Sequence, residues 1–336
     1  MNETGRLFRF SIFGESHGPV VGGVVDGCPS GIPLAARDFE ADIARRKPGA
    51  AGTTARAEAD SIELLSGTHR GFTTGAPITF VSRNADTNSS SYEGFTAHPR
   101  PGHADFVARV KYRGFADMRG SGHFSGRLSL PIVAAGVIAK KLLPQATFAS
   151  VLLEAGAQTG SEAIERAIAL AQAEGDSVGG IVECRVRGLP AGLGEPFFGG
   201  VESLVASALF AIPGVRGVEF GDGFRAARMR GSAHNDPIVA SDGGTARNGA
   251  GGVNGGITNG NELVVRLALK PTSSVAKSAE TWNFGLDRLE GLSATGRHDA
   301  CFARRVPVIA EAAIALALAD LILISRANQG VPHDAT

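Results

Sequence analysis

The chain has 336 residues, and its 33 basic side chains are balanced by 33 acidic ones, which excludes a global field for nucleic acid or an anionic membrane. Its three scattered cysteines, Cys28, Cys184 and Cys301, form no CxxC pair, so neither a zinc framework nor a disulfide framework is expected, and a reducing cytoplasm is the simplest location. The 46 glycines are spread among Val, Ile and Leu rather than gathered in a linker, which predicts turns and close backbone approaches inside a folded domain.

In chain order, alternating apolar runs predict strands at 7–13, 20–27, 76–83, 179–188 and 262–270. Helical periods fall at 36–46, 130–143, 161–174, 201–211 and 306–326. The last of these, VPVIAEAAIALALADLILISR, reads as a packed core helix rather than a membrane segment, since Glu311 and Asp320 interrupt it. The opening residues lack the zones of a signal peptide. No βαβ unit carries a dinucleotide fingerprint, and no Pro/Ser linker divides the chain, so a single α+β domain over 1–336 is expected. Segments 20–34 and 177–193 each set Gly-Gly before an apolar residue and a loop; an internal duplication or a Gly-rich composition alone accounts for this. Residues 84–99 and 225–248 read as long polar loops, a length usually tied to lids or binding.

Several stretches could carry chemistry. In FGESHGPVVGG (13–23), His17 could move protons and the glycines could cradle phosphate. The cluster RRKPG (45–49), with Arg46 and further on Arg56, is by itself a solvated helix end meeting the dipole. In HPRPGHAD (98–105), a proline and a glycine fix His103, a proton donor or acceptor near neutral pH or simply a turn residue at a helix start, and Arg100 could face an anion. In MRGSGHFSGRLSLP (118–131), a glycine-punctuated loop enters a long apolar helix with Ser125 and Arg127 at its mouth, which suits an anion or a plain cap by Ser129. ALKPTSSVAK (268–277) ends a strand with a lysine and hydroxyls, and TGRHDAC (295–301) sets Arg297 and His298 beside Asp299, which should stay ionised beside a cation. Each stretch is weak alone. Together they suggest one loop-built site for a ligand bearing phosphate and carboxylate, and the missing metal-ligand spacing disfavours metal hydrolysis.

The blocks FGESHGPVVGGVVDGCPSGIPL, RRKPG, RPGHAD, GHFSGRLSLPIVAAGVIAKKLL, GGVNGGITNGNELVVRLALKPTSS and GRHDAC, in this order, resemble the chorismate synthase family across almost the whole chain. The resemblance implies a β-α-β sandwich, with a helical core between two four-stranded antiparallel sheets, and a homotetramer. It implies a lyase that converts 5-enolpyruvylshikimate 3-phosphate to chorismate and phosphate by anti-1,4-elimination, using reduced FMN, with NADPH as a candidate reductant.

Carried over by matching residues, the resemblance makes His17, His103, Asp299, Ser16 and Ser125 catalytic. His17 would protonate the leaving phosphate, His103 would serve the flavin's pyrimidine edge, and Asp299 would face its N5. Arg46, Arg56, Arg100 and Arg127 would bind substrate. His123, Phe124, Ser125, Gly214, Gly255, Lys270, Pro271, Thr272, Ser273, Ser274 and Arg297 would border the flavin. The loop GHFSGR departs from the family's usual Gly-Arg-Ser-Ser-Ala-Arg, so His123 and Phe124 replace an arginine and a serine; Gly52 and Ala300 are further departures. A non-catalytic flavin binder would not need His17, His103 and Asp299 together, and a kinase or phosphatase would need a Walker loop, metal cluster or nucleophile that the sequence lacks.

Overall fold

A computed structural model describes residues 2–47, 49, 53, 60–85, 89–294 and 299–328. The first sheet is built from β1 (Glu3–Thr4), β2 (Arg9–Gly14), β3 (Val20–Asp26), β4 (Glu63–Leu64) and β5 (Ile78–Arg83), in the order β1-β2-β3-β5-β4. Helix α1 (Glu40–Arg46) leaves this layer, and α2 (Asp105–Lys111) and α3 (Ser129–Lys140) follow. The second sheet takes β6 (Thr147–Ala155), β7 (Gln158–Thr159), β8 (Gly180–Arg187), β9 (Val215–Phe220) and β10 (Leu263–Leu269), in the order β9-β10-β8-β6-β7. Helices α4 (Ser161–Ala173) and α5 (Val201–Phe210) interleave with it. A hairpin of β11 (Ala279–Asn283) and β12 (Arg288–Leu292) precedes the long α6 (Val306–Ala327).

Both sheets are antiparallel and enclose the helices, as the sandwich requires. Each has five strands rather than four. The second holds four long strands and a two-residue edge; the first holds three long strands with a two-residue strand at either edge. Helix α3 packs on β3, α6 packs on β6 and β8, and the two helices pack on each other, so one apolar core runs from sheet to sheet. Both helices are apolar around almost their whole circumference, which fits burial on every side. Their closest approach is at Gly136, where a Cβ would lie 2.3 Å from the Cβ of Ala312.

Glu311 and Asp320, the acidic residues within α6, are tethers. Glu311 is buried and bonded to Arg45, Lys140 and Ser150. Asp320 accepts the backbone N–H groups of Arg6, Leu7 and Phe8, satisfying donors that would otherwise be buried without partners. The segment Phe302–Ala327 is long and apolar enough to cross a bilayer, but 72% of its apolar window is buried inside the fold. Arg45 is thus no plain solvated helix end.

The sequence-predicted elements recur within a few residues of their expected bounds. The nine-residue β6 and the shorter β9 were not anticipated. β6 is half-exposed along most of its length, so its apolar pattern is diluted. The Gly22-Gly23 pair lies in mid-strand: a Cβ on Gly22 would be 2.7 Å from the Phe13 ring, and one on Gly23 would be 2.5 Å from the Phe10 ring. These glycines make room for aromatic rings and cradle no phosphate. Of the two predicted loops, 225–248 is organised around buried Asp222, which pairs with Arg225, His234 and Arg247. The described part of 84–99 carries a 3-10 turn over Ser90–Thr96.

Candidate active site

Between the sheets' loop ends lies a cavity of about 1120 Å³. Ordinary single-ligand pockets span roughly 300–1,000 Å³, so it has room for two ligands side by side. Its wall takes in His17, His103 and Asp299, with Ser16, Ser125, Arg46, Arg100 and Arg127. It also includes His123, Phe124, Gly214 and the run Lys270-Pro271-Thr272-Ser273-Ser274. Gly255 does not line it. That glycine sits at the tip of the 253–258 hairpin with φ +61°, a conformation that L-residues avoid, so the turn itself accounts for it. Arg56 and Arg297, like Gly52, lie outside the described residues.

His17 follows the end of β2. Its Nδ1 is 2.9 Å from the Ser89 hydroxyl, and its ring meets Tyr92 edge-on at 5.4 Å between centroids. The Gly120 backbone closes the other side, since a Cβ there would be 2.4 Å from His17 Nε2. This close approach depends on a kink in which Gly120, Ser121 and Gly122 all have positive φ. The kink is tied to the start of the site by the Ser16 N–H, which donates to the Gly122 carbonyl at 3.1 Å.

The anion-facing wall is organised by Asp60, which had no signal in the sequence. Its carboxylate accepts from Arg46 Nη2 at 2.6 Å and from Arg127 Nη1, and all three side chains are buried. Burial by itself would raise the Asp60 pKa; the two guanidinium charges outweigh it and hold the carboxyl below its usual range. Burial, with the nearby Arg305 charge, pulls Arg46 down to about 10, so it stays cationic at neutral pH. Arg46 Nε is buried with no partner among the described residues, a donor available to an incoming anion. Asp299 accepts from Arg305 Nη1 at 3.1 Å, and Arg305 Nε in turn donates to the Arg46 carbonyl at 3.1 Å.

Arg100 is committed inside the protein. It donates to Asp105 from Nε and Nη2, both at 2.8 Å, and to Ser274 and Ser121 at 3.0 and 3.1 Å. Its guanidinium also lies 4.4 Å from the centre of the Phe95 ring. It therefore braces the wall of the cavity that it also lines. Asp105, within the RPGHAD stretch, also meets His103 Nδ1 at 2.6 Å.

Across the cavity, Lys270 at the end of β10 bonds to the Gly102 carbonyl and, at 2.8 Å, to the Ser273 hydroxyl. Burial and the neighbouring Arg216 charge lower its pKa. His123 Nδ1 donates to the Gly14 carbonyl at 2.8 Å, and Phe124 leans toward Tyr112. Ser125, not Ser129, caps the helical entry: its hydroxyl accepts the Arg127 N–H at 3.3 Å, while Ser129 donates to the Gly126 carbonyl at 2.6 Å. The arrangement combines fixed proton carriers with buried cations in one hollow. It suits proton-coupled departure of an anionic leaving group.

A family profile for chorismate synthase matches residues 8–323. A chorismate synthase of Chitinophaga pinensis is 56% identical over 333 residues, covering 98% of this chain and 99% of that protein. One of Korarchaeum cryptofilum is 45% identical and covers 96% of this chain and 97% of its own. A chorismate synthase crystal structure superposes with a TM-score of 0.73 at 25% identity, covering 96% of this chain and 93% of the other.

Proposed function

This chain belongs to the chorismate synthase family, and from that premise we propose how its cavity serves the reaction and which residues hold which ligand. The protein is a lyase of the shikimate pathway that converts 5-enolpyruvylshikimate 3-phosphate to chorismate and phosphate. A ring C–H bond and the C–O bond to phosphate break, and a second ring double bond forms. The observation that carries the residue assignment is the meeting of His17, His103 and Asp299, from distant parts of the chain, in one hollow with buried arginines.

Arg46 and Arg127 receive the substrate's anionic groups, and His17 gives a proton to the departing phosphate oxygen. Asp299, held by Arg305, takes up the proton released as the ring C–H bond breaks. Burial keeps these charges out of water, where their effect on the breaking bond would be screened.

The cofactor is reduced FMN, and the residues fit it. The Thr272 hydroxyl oxygen is buried on the cavity wall with no partner among the described residues, and Lys270 adds a positive charge beside it. Lys270, Thr272, Ser273 and Ser274, with His123, Phe124, Ser125 and the Gly214 backbone, would hold it. When bound, reduced FMN supplies electron density to the breaking C–O bond and regains it as the ring hydrogen leaves. NADPH is the candidate source of reducing equivalents.

We place the protein in the cytoplasm as a homotetramer. Phe197 and Phe198, 88% and 91% exposed, offer apolar surface for subunit contacts.

The test is an anaerobic assay with dithionite-reduced FMN and the enolpyruvyl substrate, following chorismate absorbance and released phosphate. His17→Ala should lose most turnover and keep its FMN affinity. If it instead lost FMN and turned over normally with excess cofactor, the role given to His17 would be wrong. Turnover in air with NADPH and FMN alone would mark the chain as its own flavin reductase.

A further inference from the structure

The chemistry of the His103 turn depends on which ring nitrogen carries the proton, and the hydrogen inventory decides it. His103 Nδ1 has two neighbours, Asp105 Oδ1 at 2.6 Å and Arg100 Nη2 at 3.0 Å. An Nη2 group has two hydrogens and accepts none. Its other acceptors within reach are Asp105 Oδ1 at 2.8 Å and the Ser121 hydroxyl at 3.1 Å, so two hydrogens serve three neighbours. The carboxylate is the closer partner of the imidazole. A lone pair on Nδ1 would face the carboxylate oxygen at 2.6 Å, lone pair against lone pair. The ring is satisfied only with the proton on Nδ1, donated to Asp105.

Asp105 cannot turn away. Its Oδ2 accepts the Arg100 backbone N–H at 3.0 Å and Arg100 Nε at 2.8 Å, and the carboxylate is 3% exposed. Arg100 is itself clamped by Ser274 and by the Phe95 face.

We infer that Asp105, locked by Arg100, is a positioning residue. It fixes His103 as the Nδ1–H tautomer and leaves Nε2 as the nitrogen that exchanges protons in the cavity. This rests on the reading of the cavity as the elimination site.

Histidine-selective nitrogen NMR of the unaltered protein without flavin should show His103 protonated on Nδ1 in its neutral form. A proton on Nε2 overturns the inference, whatever any variant does. In Asp105→Asn the amide can donate to Nδ1 and reverse the tautomer. Turnover should drop roughly 10²–10⁴-fold, the scale seen when a carboxylate orienting a catalytic histidine is made an amide. The substrate KM should change only a few-fold, and Asp105→Glu should recover part of kcat. A loss confined to KM refutes the positioning role. If His103 shows the expected tautomer but the wild-type protein makes no chorismate, the functional reading fails and the positioning inference stands.

Discussion

Gly120→Ala tests the geometry around His17 with a single methyl group. The added Cβ would lie 2.3 Å from Cδ2 and 2.4 Å from Nε2 of His17. Carbon contacts settle at roughly 3.5–4.0 Å, so ring and loop must part by more than about 1 Å. A misplacement of about 1 Å can cost on the order of 10²-fold in rate. The ring has little room to yield, since Ser89 and Tyr92 hold it from other sides. Because φ at residue 120 is +58°, alanine also carries a backbone penalty of about 1–2 kcal/mol. Gly114 is the control. Its φ is +81°, and a Cβ there meets nothing within 4 Å, so Gly114→Ala carries the backbone penalty alone. Both variants should lose a few degrees of Tm, and only Gly120→Ala should lose about 10²-fold in kcat. FMN affinity, measured by flavin titration, should be retained. Equal kcat in the two variants would refute the close packing of His17 on residue 120 and the need for its placement.

Two further expectations concern stability. Gly136→Ala should lower Tm, because its Cβ would lie 2.3 and 2.5 Å from Cβ and Cα of Ala312 and the central helices must separate. Overpacking costs about 1–3 kcal/mol, against a helix-propensity gain of up to about 1 kcal/mol, so a rise in Tm would contradict the packing. Glu311→Gln should destabilise the fold near neutral pH by about 1–3 kcal/mol, toward the low end because Arg45 is 45% exposed and screened. Burial would raise the Glu311 carboxyl, but Arg45, Ser150 and Lys140 hold it below its ordinary value. A depressed carboxyl contributes stability that is complete above its unfolded pKa, about 4.3, and is lost as pH falls toward the folded value. The Tm gap between wild type and Glu311→Gln should therefore close in acid. A gap that widened there would reverse the assignment.

The residues around the site differ in how legible they were. His17, His103 and Asp299 stand in short motifs that are weak alone, and it was the resemblance of those motifs to the family that assigned their roles. Asp105 lies in the same RPGHAD stretch as His103, and its role could have been sought there. Asp60 could not. It lies in an unremarkable polar run, and its importance comes from two arginines that are distant in sequence and meet it only in the fold. Arg100, an arginine beside a kinked loop, reads as an anion ligand, and the fold adds a bracing role through Asp105, Ser121 and Ser274.

Periodicity determined the element types and the α+β class, and the ordered blocks of motifs carried the resemblance to the family, which implied the chemistry of the site. Those properties are written in neighbouring residues, where hydrophobic spacing and turn chemistry act locally. Strand β6, its pattern diluted by half-exposure, became legible only as a partner of β8. The tertiary structure alone decided which charges neutralise each other and which carboxylate meets His103 Nδ1. Electrostatic and hydrogen-bond roles depend on distance and burial, and residues far apart in the chain acquire both only when the sandwich closes.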